Sequence, residues 1–406
     1  MSGAVVVVGA NVAGGTAAAV LREQGLDGRL VLIGAEDLPP YERPPLSKEL
    51  LRGEQDLEAG LVRPPGWWED QGIEMRLGTR ARRLDAAARE VVLDDGERIA
   101  FDRAIVATGC RPRLLRARGA GLEGVWTLRR AGDAERIREA ARAGGRAVLV
   151  GMGFVGAEVA ASLRYLGMDV TVVEVFDTSL YRVLGAELGR TVEALHRDHG
   201  VEMIFKDTVS RVEGSGRAER VVTTNGRSIE CSFVVVGIGA FPEVSVMSDV
   251  GVAVDGGLEV DARLQTAVPG VYAAGDVANA DHPVLGHPLR VEHWDTAIQH
   301  GKVVAANLLG KETEHDALPY FFTDQYDFGM EYVGSPGPDG YDRVILRGDV
   351  PGKNFTAWWL NDDRVVAGMH ANDWDAIDQV RRIVGNVVDP DQLADESVGL
   401  GEVKVS

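Results

Sequence analysis

The chain carries one hydrophobic pattern twice. Val5 to Val8 are four β-branched residues in a row with no polar alternation, which predicts a strand buried on both faces of a parallel sheet. Gly9 opens a tight turn, Gly14 and Gly15 follow, and a small-residue helix is predicted from Thr16 to Gln24, stopping at Gly25. The order recurs as a strand at Ala147 to Val150, the turn Gly151-Met152-Gly153-Phe154-Val155-Gly156, a helix from Ala157 to Tyr165, Gly167, and a strand Val170 to Val173 ending in Glu174.

Further apolar runs mark the rest of an α/β architecture. Leu30 to Ile33 reads as the second strand of the first unit. Glu97 to Phe101 and Arg103 to Ala107 read as strands, the latter ending in Thr108-Gly109. Strands are predicted near Glu202 to Phe205, Val209 to Glu213, Glu219 to Thr223 and Phe233 to Val236. Gly237-Ile238-Gly239 marks the return to the first domain, and Val271 to Ala274 is a buried strand ending in Gly275-Asp276. Val291 to Leu309 looks helical. After Pro319 the stretches Tyr320 to Phe322 and Thr356 to Leu360 read as strands and Trp374 to Val384 as a helix, a separate α+β module.

A strand, a glycine turn and a helix aim unpaired backbone N–H groups and a helix dipole at one point, which suits a pyrophosphate. The second copy is a complete G-x-G-x-x-G, and two fingerprints imply two dinucleotides. In the first copy Asn11 stands where the second glycine belongs; asparagine tolerates unusual backbone angles, so the departure is tolerable. Taken alone, that copy also reads as an ordinary strand-to-helix turn. Glu174 lies about 20 positions past its glycines, where a carboxylate accepts from a ribose diol, and favours NADH over NADPH. Arg182 would soften that preference by attracting phosphate. Glu36, with Asp37 as substitute, is the matching acid of the first copy.

Other stretches add candidate chemistry. Pro39 to Lys48 is proline-dense and predicts a rigid, extended loop holding Arg43 and Lys48; two solvated cations are the competing reading. Asp276 sits at the carboxyl end of a strand, where α/β proteins bind ligands, or caps the next helix. Glu158 lies two residues after Gly156, where the first helical turn favours a carboxylate.

Composition narrows the classes. The net charge of −19 argues against nucleic acid. The acidity concentrates at the end: from Lys311 onward there are 8 Lys/Arg against 19 Asp/Glu. Arginines cluster instead at Arg111, Arg113, Arg116, Arg118, Arg129 and Arg130, which a solvated surface also explains. Cys110 and Cys231 are the two cysteines and form no C-x-x-C, so neither a redox disulfide nor a cysteine metal site is expected. Low cysteine usage fits the cytoplasm. No run reaches the roughly 18 apolar residues of a membrane span, and no signal peptide is legible.

The motifs VVVVGANVAG, PYERPPLSK, ATGCRPR, VGMGFVGAEVA, VTVVE with LYR after it, VYAAGDVA and VEHWDTAIQHG run in order from Val5 to Gly301. In this combination the chain resembles the FAD- and NADH-dependent ferredoxin reductases that serve bacterial oxygenases. FFTDQYD and ANDW resemble the family's third domain more loosely. The resemblance implies a glutathione-reductase-like fold with two Rossmann-type dinucleotide-binding domains and a C-terminal α+β interface domain. The implied boundaries are 1–113 and 241–316 for FAD, 114–240 for NADH, and 317–406 for the interface domain. FAD contacts would be Gly9, Asn11, Ala13, Gly14, Glu36, Arg43, Lys48, Thr108, Gly109, Arg111, Gly275 and Asp276, with Glu292, His293 and Trp294 along the flavin ring. NADH-site residues would be Gly151, Gly153, Phe154, Val155, Gly156, Glu158, Glu174, Arg182 and Gly239. Phe322 stands where the family often has tryptophan.

The implied activity passes electrons from NADH through FAD to an iron–sulfur ferredoxin that supplies a cytochrome P450 or a dioxygenase. The expected assembly is a monomer or weak homodimer. Lys48 and Glu158 are expected to form an ion pair that orients the nicotinamide. Arg290 and Lys302, with Arg111 and Arg113 as additions, are the expected cations of a docking face for an acidic ferredoxin. The other readings are a cysteine-dependent reductase or oxidase of the same fold, disfavoured by the cysteine pattern, and a redox sensor resembling apoptosis-inducing factor.

Overall fold

The computed structural model describes residues 3–250, 253–254, 256–337 and 339–406. The chain forms two compact units. One comprises Met1–Pro44, Asp56–Arg111 and Ala240–Ala317; the other comprises Pro45–Gln55, Pro112–Gly239 and Leu318–Ser406.

The first unit is built on a five-stranded parallel sheet. Its order is Val271–Ala273, Arg103–Val106, Val5–Val8, Leu30–Ile33, Ile73–Arg76. Val5–Val8 is central, with Val5 in register with Leu30 on one side and Arg103 on the other. All four of its valines are buried, as a strand covered on both faces requires. The chain leaves this strand in one direction and returns to its other side, so the crevice beyond its carboxyl end is a topological switch point. The helix Val12–Glu23 follows and packs along the helix Trp294–Leu308.

The second unit repeats the plan. Its parallel sheet has the order Glu202–Ile204, Asp169–Val173, Arg146–Val150, Phe233–Val236, Val125–Trp126. The helix Phe154–Tyr165 follows the central strand. The same unit contains an antiparallel sheet ordered Tyr320–Gln325, Phe328–Gly334, Arg364–Ala371, Asn354–Asn361, Arg343–Asp349. Trp358, Trp359, Tyr332 and Phe355 are fully buried on it. The helix Tyr181–Asp198 lays Leu184, Leu188 and Val192 into the cluster that contains Phe328, Met330 and Trp359.

Both fingerprint helices start earlier than their glycines suggested. Glycine is a poor helix former, which places Gly14 and Gly15 in the turn on propensity alone, yet both lie within Val12–Glu23. Packing overrides propensity there: a Cβ on Gly14 would lie 2.0 Å from the Gly9 carbonyl oxygen. The proline-rich stretch also differs from expectation. Pro44–Ser47 is a 3-10 turn, not an extended loop, and Lys48 precedes a short helix, Glu49–Arg52. Proline suits a first helical turn because no N–H is needed there.

Candidate functional site

Two glycine turns, one in each unit, occupy the switch points. In the first unit Gly9 has φ +118°, and a Cβ on it would lie 2.1 Å from the Ala107 carbonyl oxygen. Backbone there lies against backbone, and Ala13 and Gly14 keep the first helical turn small. Asn11 needs no special tolerance, contrary to the sequence reading. Its φ of −102° and ψ of −169° are ordinary extended values. Its side chain has other work: the Arg43 Nη2 donates to Asn11 Oδ1 at 2.5 Å and to Glu36 Oε1 at 3.1 Å. The Tyr41 hydroxyl donates to Glu36 Oε2 at 2.7 Å. Asn11, Glu36 and Arg43, read from separate motifs, therefore form one polar cluster beside the glycine turn.

The other candidates of this unit are anchored by the backbone. The Thr108 hydroxyl donates to the Glu243 carbonyl at 2.6 Å, and Gly109 takes φ +67°. Arg111 is 68% exposed, 3.8 Å from Glu243. Gly275 and Asp276 lie in a 3-10 turn directly after the strand Val271–Ala273. The Gly275 N–H donates to His300 Nδ1 at 3.2 Å. Glu292 pairs with Arg290 at 2.7 Å. His293 is the N-cap of the next helix, its Nδ1 accepting from the Asp295 N–H at 3.3 Å, and Trp294 is that helix's first residue.

Arg290 differs from its expected role as a docking cation. Its guanidinium donates to the Asp276 carbonyl at 3.1 Å as well as to Glu292, and its side chain is only 21% exposed. A carboxylate and a carbonyl within the same unit consume the charge. Lys302 remains exposed on its helix.

In the second unit Gly151 has φ +98°, and a Cβ on Gly156 would lie 2.2 Å from the Gly151 carbonyl oxygen. Gly153 is different. Its φ of −78° suits any residue, and a Cβ there would meet nothing within 4 Å. The protein's own packing does not require glycine at 153. Phe154 stacks on Phe321 at 5.9 Å, and Val155 is exposed. Gly239 takes φ +97°, and its carbonyl accepts from the Arg113 N–H at 2.9 Å.

Glu174 is at the end of its strand, as expected, and is only 6% exposed. Its Oε2 accepts from the Met152 N–H at 2.5 Å and its Oε1 from the Phe176 N–H at 3.0 Å. The carboxylate thus ties the glycine turn to its own strand. Each oxygen retains a second lone pair. Arg182 lies over the Phe176 ring at 5.1 Å, and Phe176 stacks on Tyr181 at 5.2 Å.

Lys48 and Glu158 meet within this unit. Lys48 Nζ is 3.3 Å from Glu158 Oε1, with both side chains buried. The Ser47 hydroxyl donates to Glu158 Oε2 at 2.5 Å and the Thr323 hydroxyl to Oε1 at 2.7 Å. The Phe322 ring lies 5.2 Å from the Lys48 ammonium. Because the helix begins at Phe154, Glu158 belongs to its second turn and not to the first. The helix dipole falls off within the first turn, so three directed donors hold this charge instead. Ser47 and Thr323 escaped the sequence reading. A hydroxyl carries no signal of a partner more than a hundred residues away, even within a motif such as FFTDQYD.

The Cys110 thiol sits among the site's polar groups, accepting from the Arg290 guanidinium at 3.3 Å and donating to the Asp276 carbonyl at 3.5 Å. Neither cysteine forms a disulfide, and burial pushes the Cys231 thiol up to about 11. A thiol so rarely ionised is a poor nucleophile. Among the described residues, no helix is long and apolar enough to cross a membrane.

Comparison with known proteins converges on one group. Residues 3–301 match the pyridine nucleotide-disulphide oxidoreductase family, and residues 320–404 match the reductase C-terminal family. The chain is 36% identical to the ferredoxin–NAD(+) reductase component of the anthranilate 1,2-dioxygenase system of Burkholderia cepacia, over 97% of this chain and 98% of that protein. It is 33% identical to putidaredoxin reductase of Pseudomonas putida, over 98% and 96%. Among solved structures, a ferredoxin reductase from Rhodopseudomonas palustris superposes with a TM-score of 0.94 at 32% identity, covering 98% of each chain. Putidaredoxin reductase in its covalent complex with putidaredoxin gives 0.95 at 33%, covering 98% of this chain and 97% of that one. With two dinucleotide cradles, no cysteine pair and this agreement along its length, the chain belongs to the pyridine nucleotide-disulphide oxidoreductase family, among the ferredoxin–NAD(+) reductases of oxygenase systems.

Proposed function

We propose that the chain is an NADH-dependent ferredoxin reductase that binds FAD at the first glycine turn and NADH at the second. The observation that carries this reading is the pair of cradles in which a Cβ on Gly14 or Gly156 would fall about 2 Å from a backbone oxygen. Such turns accept a pyrophosphate on backbone N–H groups. In the first unit Asn11, Glu36 and Arg43 supply polar groups of the kind that hold a dinucleotide, and Gly275-Asp276 closes the same switch point. Bound FAD would supply the conversion of one hydride from NADH into two single electrons for an iron–sulfur ferredoxin. The chain's residues bind and orient. Glu174 receives the ribose diol, and the Lys48–Glu158 pair sets the nicotinamide. The ferredoxin would supply a P450 or a ring-hydroxylating dioxygenase, as in the related systems. Two cysteines that form no disulfide agree with a cytoplasmic setting.

The test is cytochrome c reduction by NADH with purified, FAD-loaded protein. Turnover is expected to require an added ferredoxin and to slow as ionic strength rises, through slower association. Turnover no faster with added ferredoxin than without it, for plant-type and vertebrate-type clusters alike, would refute the reading.

Nicotinamide choice follows from Glu174. Its carboxylate, fixed by Met152 and Phe176, would face the 2′-phosphate of NADPH, so kcat/KM with NADH is expected to exceed that with NADPH by about a hundredfold. Glu174→Ala should narrow the gap and also loosen the glycine turn, lowering the efficiency with NADH. Wild-type efficiencies within threefold of each other would contradict this.

A further inference from the structure

The carboxylate of Glu158 is held more closely by a hydroxyl from the C-terminal sheet than by its own counter-ion. Thr323 Oγ1 is 2.7 Å from Glu158 Oε1, whereas Lys48 Nζ is 3.3 Å from the same oxygen. Ser47 takes the other oxygen at 2.5 Å. A carboxylate rotates about its terminal bond with little preference, so the two hydroxyls, one on each oxygen, set its plane. The ammonium then follows the carboxylate.

Thr323 is itself directed. Gln325, two residues along the same strand and on the same face, donates from Nε2 to Thr323 Oγ1 at 3.1 Å. Its Oε1 accepts from His196 Nε2 at 2.8 Å. His196 Nδ1 in turn accepts from the Tyr326 hydroxyl at 3.4 Å. Every bond in this series points the same way, from Tyr326 through His196, Gln325 and Thr323 to Glu158. The Glu158 carboxylate can only accept, so the Thr323 hydroxyl sends it its proton, while the Gln325 amide on one hydroxyl lone pair holds the hydroxyl oxygen in place. Thr323, Gln325 and His196 are each at most 1% exposed, so water does not compete. Burial lowers His196 to about 4, with Gln325 raising it and His199 lowering it. The ring is therefore neutral at physiological pH and donates from Nε2, as the series requires.

We infer that Thr323 is a positioning residue of the NADH reaction, its hydroxyl oriented by Gln325 and His196 to fix the Glu158 carboxylate and through it the Lys48 ammonium. This rests on the reductase reading of the preceding section. It assigns the C-terminal sheet a part in the nicotinamide site in addition to any part in docking.

The experiment uses the full-length, FAD-loaded protein without ferredoxin, and compares Thr323→Val with Thr323→Ser. Stopped-flow absorbance gives the rate of flavin reduction at saturating NADH, and calorimetry gives the NAD+ dissociation constant. Thr323→Val should slow reduction about tenfold or more, since losing a hydrogen bond to a charged group is worth that much. Thr323→Ser should return the rate to within twofold of wild type. The dissociation constant should stay within twofold in both, because the contacts of the adenosine and pyrophosphate are untouched. Urea unfolding supplies a readout independent of turnover: Thr323→Val should lower the midpoint in the wild type and much less in a Glu158→Leu background. If Thr323→Val does not fold, Gln325→Leu, which frees the hydroxyl to turn away, should show the slowed reduction. A Thr323→Val rate within twofold of wild type, or equal loss in valine and serine variants, overturns the inference. A wild type that is reduced by NADH but passes electrons to no ferredoxin would overturn the proposed function and leave this assignment standing.

Discussion

Lys48→Met is expected to lower the unfolding free energy by about 3–5 kcal/mol and to slow reduction by NADH about a hundredfold. Methionine keeps most of the aliphatic stem but leaves the Glu158 carboxylate buried with two hydroxyls and no counter-charge. Both partners of the pair are less than a tenth exposed, so water cannot replace the ammonium. Removing one member of a buried pair is costly, whereas replacing both by apolar residues of similar volume is often neutral. Lys48→Met/Glu158→Met should therefore recover most of the stability and none of the rate. Urea unfolding and stopped-flow absorbance separate the two effects. If the single variant unfolds at the wild-type midpoint, the pair does not behave as a buried one; if the double variant regains the rate, it has no part in orienting the nicotinamide.

The protein is expected to lose roughly 4 kcal/mol of stability between pH 7.5 and pH 5 through the buried His196 and His315, with His300 adding in the same direction. Burial lowers His196 and His315 to about 4 and His300 well below its ordinary value. Neighbouring rings add to the effect: His282 lowers both His300 and His315, His315 lowers His300, and only Asp316 raises His315. Each folded value lies below the unfolded one of about 6.5, so the unfolded chain binds more protons throughout the window between about 6.5 and 4. Stability is complete above that window and falls as the pH drops through it, by roughly 2 kcal/mol each for His196 and His315 at pH 5. His300 gives the loss a local reporter, because its Nδ1 accepts from the Gly275 N–H beside Asp276. Flavin release should accompany acid unfolding. Denaturant titrations at the two pH values provide the check, and a flat profile between pH 7.5 and pH 5 would sink the expectation.

Much of the site was legible because its signals are local. A run of valines, a glycine that needs φ +118° and a small-residue helix lie within twenty residues of one another. Their spacing is dictated by backbone geometry rather than by distant partners. The same holds for Glu174 at its strand end and for Gly275-Asp276. Recognition of the family from ordered motifs rests on the same locality, and the relatives returned by comparison are of the family those motifs suggested.

Only the tertiary structure decided what each charge does. Arg290 reads as a surface cation until Glu292 and the Asp276 carbonyl are placed beside it. Asn11 reads as a tolerated substitute until Arg43 reaches it from 32 residues away. The stretch Pro45–Gln55 packs with the second unit although it follows the first in sequence, and this brings Ser47 and Lys48 to Glu158. Thr323 joins them across 165 residues. A hydroxyl or an amide has no sequence period that reveals its partner, since directed hydrogen bonds depend on positions fixed to a few tenths of an ångström by packing. The hydrophobic pattern by itself determined the two nucleotide folds and their turns; the buried network around Glu158 exists only once the second unit is packed.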